Sequence, residues 1–132
     1  MILDEILATT RAELGPRKVA SPEVALEEKL AGLPPTLDLA AALRQPGVSI
    51  IAEIKRASPS KGVMNAEIRP KQLAGAYAKA GSSAISVLTE GPHFSGQLAD
   101  LRAARAGLAA AGLPRPLLRK DFIVDPYQLL EA

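Results

Sequence analysis

The sequence predicts an α/β fold: about three βα units preceded by a helical leader. Three observations carry this. Strand-like runs recur at "SIIAEI", "SAISVLTE" and "RPLLRKDFI", with starts about 34 residues apart, the length of a βα repeat. Helical stretches lie between them, "RPKQLAGAYAKAG" stopped by Gly81 and an alanine-rich run from about Gln97 stopped by Gly112. Before Ser49 the spacing is helical and no strand pattern occurs. The expected organisation is therefore a helical extension over 1–48 and βα units over 49–132.

Each element has a local cause. Ile2, Leu3, Ile6, Leu7 and Leu14 share one side of a first helix, which should end near Gly15-Pro16, because proline lacks the helix N–H. Ser21-Pro22 offers a cap and a first-turn proline for a second helix toward Leu30. "GLPPT" breaks that helix, and Thr36 can cap a short third one through Leu43. Right-handed crossovers make the three strands parallel neighbours. Asp125-Pro126 with Gln128 has the form of a capping box, opening a helix that has had under two turns when the sequence reaches Ala132. With no glycine stop, the chain reads as cut off inside that helix.

Bulk properties narrow the function. A chain of 132 residues suits one domain and can bury a core. It is 48% hydrophobic and 23% charged, with no apolar run long enough to span a bilayer. Asp4 and Glu5 near the start argue against an export signal. The absence of cysteine excludes disulfide and thiol chemistry and fits the cytoplasm. A net charge of +2, with two phenylalanines and two tyrosines, gives no nucleic-acid surface. The small basic excess fits either an anionic small molecule or ordinary surface drift.

Charge inside the strands is the informative feature. Alternation puts Ile51, Glu53 and Lys55 on one face and Ile50, Ala52 and Ile54 on the other. Glu53 and Lys55 then stand about 6–7 Å apart, within reach of each other. The third strand repeats the pattern, with Leu118, Lys120 and Phe122 sharing a face. In parallel α/β folds the C-terminal strand ends and the loops after them form the active site. Two lysines and a glutamate there suit acid–base chemistry or neutralisation of an anion. One such strand alone is better explained as a solvated ion pair at the sheet rim, but two favour function. On the second strand Ser86, Leu88 and Glu90 share a face, and Glu90 is expected at the rim. "SPSKG" lacks the glycine spacing of a phosphate-binding P-loop. His93 is the only histidine, which leaves no support for a metal centre or a histidine-dependent triad. Phe94 either caps a pocket or anchors its own loop.

"IIAEIKRASPSKG", "AISVLTE", "HFSGQLADLRAAR" and "LLRKDFIVDPYQLLEA", in this order and spacing, resemble the indole-3-glycerol-phosphate synthase family of tryptophan biosynthesis. The leader through "PPTLDLAAALR" is similar to that family's N-terminal extension. The resemblance implies the first three units of a (β/α)8 TIM barrel, truncated in its third helix. It also implies a cofactor-free carbon–carbon lyase that decarboxylates and dehydrates 1-(2-carboxyphenylamino)-1-deoxyribulose 5-phosphate to indole-3-glycerol phosphate. By this resemblance Lys120 is the general acid, Lys55 contacts the anionic substrate, and Glu53 pairs with the lysines. Ser58 binds substrate, and Phe94 and Phe122 line the anthranilate pocket. Gly96 is followed by Gln97 where the family has serine. The family's base glutamate, substrate-binding asparagine and phosphate loops belong to strands 4 to 8, none of which occurs here. The chain alone is therefore expected to be inactive and to self-associate through open sheet edges. Two other readings remain: a Schiff-base aldolase-like barrel using Lys55 or Lys120, and a non-enzymatic half-barrel assembly module.

Overall fold

The computed structural model describes residues 1–132, which form two compact units. The larger spans Thr36–Asp121; the smaller combines Met1–Pro35 with Phe122–Ala132. The expected leader and βα segments divide the chain in order, whereas compactness divides it elsewhere. The reason is local to the smaller unit, where the last eleven positions bond to the first helix.

In the larger unit the short helix α3 (Leu39–Leu43) leads into strand β1 (Ile51–Ile54), followed by the hairpin strands β2 (Ala57–Ser58) and β3 (Gly62–Val63). Helix α4 (Pro70–Lys79), strand β4 (Ala84–Leu88), helix α5 (Leu98–Ala111) and strand β5 (Leu117–Lys120) complete it. The main sheet has the order β1-β4-β5 with both pairs parallel, as the βα repeat predicts. One face is packed by α4 and α5: Ala52, Ile54, Ile85, Val87 and Leu117 meet Ala74, Ala78, Ala104 and Leu108. This is the apolar side of the predicted alternation. The two helices approach closely because Gly75 and Gly107 face each other's backbones; a Cβ on Gly107 would collide with the Lys71 carbonyl. Gly112 closes α5 in the left-handed conformation, with φ +64.

Three local expectations change. Asp38, not Thr36, caps α3, its Oδ1 accepting the Ala41 N–H at 2.9 Å, because the helix starts at Leu39 and only Asp38 is in cap position. "ASPSKGV" is not simple loop: Ala57 pairs with Val63 and Ser58 with Gly62. Gly62 takes φ +64 there, which a side chain would resist. The third strand stops at Lys120 instead of continuing to Ile123.

In the smaller unit helix α1 (Ile2–Ala20) runs through Pro16. Its last turn is held by side chains of helix α6 (Tyr127–Glu131) and the turn before it. The Tyr127 hydroxyl lies 3.0 and 2.7 Å from the carbonyl oxygens of Arg17 and Ser21. Arg17 donates to Glu131 through Nε at 2.8 Å, and Lys18 Nζ reaches Asp125 at 2.7 Å. These contacts offset the hydrogen bond that Pro16 removes. Of the predicted apolar stripe Ile6 and Leu14 are buried, with Thr10 between them, while Ile2 and Leu3 are exposed. Helix α2 (Glu23–Leu30) starts after Pro22 without a side-chain cap; Ser21 instead ends α1, its N–H bonded to Arg17 O. The expected capping box at α6 forms in part, with Asp125 holding the Tyr127 N–H in place of that of Gln128. Asp125 accepts the Tyr127 N–H, and the Gln128 Oε1 accepts the N–H groups of Val124 and Asp125.

Candidate active site at the C-terminal strand ends

The uncovered face of the sheet carries the charged residues. Register places Glu53 opposite Ser86, and Ser86 opposite Leu118. One step further Leu88 is opposite Lys120, and Lys55 follows Ile54, which is opposite Val87. Lys55 and Lys120 therefore leave the two outer strands at one level, on either side of Leu88. Two strand spacings separate their backbones, roughly 9–10 Å.

The two lysines differ. Lys55 Nζ is 3.3 Å from Glu53 Oε1, with both side chains about one-third exposed (34% and 35%). The other Glu53 oxygen accepts the Ser86 hydroxyl at 3.1 Å. Glu53 is thereby held from a neighbouring strand and holds Lys55 in turn. Lys120 is exposed and its ammonium makes no ion pair, with Glu53 or any other residue.

The remaining expected site residues are placed as follows. Ser58 sits in the β2–β3 hairpin, where its Oγ accepts the Lys61 N–H at 3.3 Å and lies 3.5 Å from Ser60 Oγ; no bond joins it to the Glu53–Lys55 pair. Phe94 is half-buried in the loop after β4. Phe122 falls in the smaller unit, where its carbonyl accepts Gln128 Nε2 at 2.9 Å. β5 ends at Lys120, before Phe122.

Glu90 departs from its expected rim position. It is 5% exposed, and its Oε2 accepts the N–H groups of His93 and Phe94 at 2.8 and 2.9 Å. Its Oε1 lies 2.7 Å from His93 Nδ1. A buried carboxylate with these charge-assisted bonds fixes the loop that carries Phe94. The same loop is tied at its base by Gly96 N–H to Glu90 O at 2.8 Å. Gly96 packs so tightly that a Cβ would strike the Leu88 carbonyl, and Ser95 takes φ 55 to make the turn.

Two further arginines organise the rim. Arg56, next to Lys55, pairs with buried Asp100 in the first turn of α5, its Nη2 3.1 Å from Oδ1. It also reaches the Ile68 carbonyl at 3.2 Å. Hydrogen bonding to Asp100 raises the Arg56 guanidinium above its ordinary value, against the opposing pull of burial. Arg119 pairs with Asp121 on either side of Lys120. No group of three or more histidine, aspartate or glutamate side chains is placed to hold a metal ion, and no helix is long and apolar enough to cross a membrane.

A family model described as "Indole-3-glycerol phosphate synthase" matches residues 3–132. Proteins of that name from Rhodococcus opacus (strain B4) and Mycobacterium ulcerans (strain Agy99) are each 48% identical over 131 residues. The alignment covers 99% of this chain, against 47% and 46% of those proteins. One from Dehalococcoides mccartyi (strain CBDB1) is 46% identical over 133 residues, covering 100% of this chain and 51% of its own. The chain spans about half the length of the curated relatives it matches.

Proposed function

Because the chain belongs to the indole-3-glycerol phosphate synthase family, we propose that it supplies the lysine-bearing part of a site for decarboxylating ring closure. The substrate would be 1-(2-carboxyphenylamino)-1-deoxyribulose 5-phosphate. The observation that carries the reading is the pair of lysines whose backbones leave the outer strands at one level, one ion-paired to Glu53 and one without an ion pair.

In this reading the ring carbon bearing the carboxylate attacks the ribulose ketone carbon. The π electrons of the ketone move to its oxygen, which takes a proton from the Lys120 ammonium. Loss of carbon dioxide returns electrons to the ring. Departure of the new hydroxyl as water, with loss of a proton from the adjacent carbon, completes the indole. Lys55 contacts the anionic substrate and is oriented by Glu53, while Ser86 keeps Glu53 turned toward Lys55. Ser58 contacts the substrate from the hairpin, and Phe94 offers an aromatic face to its ring, from the loop that Glu90 holds. Such an enzyme needs no cofactor and works in the cytoplasm.

The chain alone should turn over little substrate. β1 and β5 are the outer strands of an open sheet, and in barrels of this kind the phosphate is held by loops after later strands. Indole fluorescence tests this. The purified chain should give no useful rate, and adding a polypeptide that carries the other half of a full-length relative should restore it. Turnover by the chain alone at the rate of a complete enzyme would overturn the incomplete-site reading, and absence of turnover in the mixture would count against the function.

A further inference from the structure

Lys120 occupies the last position of β5, where the strand ladder stops. Its ammonium has no ion-pair partner, so its direction depends on its backbone. That backbone is gripped from both sides. Arg119 and Asp121 bracket it in sequence, with side chains only 6% and 8% exposed. Arg119 is opposite Val87, a core residue under α4 and α5, so the bracketing pair lies on the covered side and Lys120 faces away from it. Arg119 Nη2 and Nε reach Asp121 Oδ2 at 3.0 and 3.2 Å. The same oxygen accepts the Thr89 hydroxyl from the neighbouring strand end at 2.6 Å. Arg119 Nε also approaches Thr89 Oγ1 at 3.4 Å. Thr89 then closes the ring through its backbone, donating its N–H to the Lys120 carbonyl at 3.1 Å.

We propose that Thr89, Arg119 and Asp121 are positioning residues, a clamp that fixes the direction of Lys120 toward the uncovered face. This rests on the reading of Lys120 as the proton donor. The physical argument is one of register. A slip of one residue in a strand exchanges its two faces, and at the last position of β5 the Thr89 N–H bond to the Lys120 carbonyl is the last ladder bond that resists that rotation. Here the side chains before and after Lys120 are bound to each other and to β4's exit, which takes over where the ladder ends. A buried ion pair is weak evidence for stability in itself, since apolar residues of similar size often do as well. A geometric role explains its position around one particular lysine.

The test compares T89V, T89S and D121N with the wild-type chain, with K120M as control. Amide exchange followed by NMR on the 132-residue chain reads the hydrogen bond from residue 89 to the Lys120 carbonyl. Fluorescence turnover of the carboxyphenylamino-deoxyribulose phosphate, with the complementary half added, reads kcat and KM. T89V and D121N should exchange at residue 89 about tenfold faster or more, and kcat should fall about 10- to 100-fold with KM within about twofold, the signature of a misplaced group. T89S, which keeps the hydroxyl, should restore both. Exchange as slow as wild type in T89V and D121N overturns the clamp, whether or not turnover is seen. Faster exchange with kcat unchanged overturns the positioning role. Turnover that persists in K120M overturns the functional reading instead.

Discussion

Lys55 has a carboxylate beside it and Lys120 has none, and the proposed division of their work rests on that difference. The carboxylate at 3.3 Å holds the Lys55 ammonium in place, which suits the proposed contact with an anion. Lys120 has no such partner, which leaves its ammonium available to a substrate in the proposed acid role. With the complementary half of a full-length relative added, K120M should lower kcat about 10²- to 10⁴-fold, read by indole fluorescence. E53Q should mainly raise KM, because Lys55 then loses the group that orients it. Glu90 makes a separate prediction. E90Q weakens charge-assisted bonds at a buried site, which should cost about 1.5–3 kcal/mol in denaturant unfolding. It should also speed exchange of the Phe94 amide. Glu53 and Lys55 were legible as a pair because strand alternation needs only two residues of sequence. Glu90 was not, because its partners lie across a turn whose shape depends on the tight packing of Gly96 on Leu88.

At the scale of elements, small residues and end contacts decide the outcome. The α4–α5 contact rests on Gly75 and Gly107, so G107A should destabilise the larger unit by about 1–3 kcal/mol through overpacking, measured by thermal or urea unfolding. In the smaller unit α6 is too short to persist without docking, and Lys18–Asp125 is one of its attachments. Hydrogen bonding to Asp125 raises the Lys18 ammonium, and the same bond lowers the Asp125 carboxyl. The lowered carboxyl contributes stability above its unfolded value near 4, lost as pH falls through its folded value. The raised ammonium contributes stability below its unfolded value near 10.5, lost as pH rises through its folded value. Protection of the α6 amides should therefore be greatest between about pH 4 and 10.5 and decline outside it. The D125N chain should lose the acid-side change. The same contacts explain why Pro16 does not end α1. Proline is a local stop signal, and Tyr127 and Glu131 override it by binding Arg17 from 110 and 114 residues away.

For the whole chain, the open sheet is the governing feature. β1 and β5 have one strand neighbour each, and Ile51 and Leu118 are exposed on the uncovered face. Unpaired strand edges beside apolar surface favour association. Sedimentation of the chain alone should shift to larger species as concentration rises, and adding the complementary half should suppress that shift. A concentration-independent monomer would show that the edges are protected. The sequence by itself determined the parallel βα order, the separation of a covered apolar face from a charged one, and the family, because period-two alternation, glycine stops and contiguous motifs are local. Only the tertiary structure decided what surrounds the charged residues. Ser86 on Glu53, Thr89 on Asp121 and Asp100 on Arg56 join residues 33, 32 and 44 positions apart. Such pairs depend on the register of one strand against the next and on where each loop turns back, and neither is written in the residues on one side of the contact.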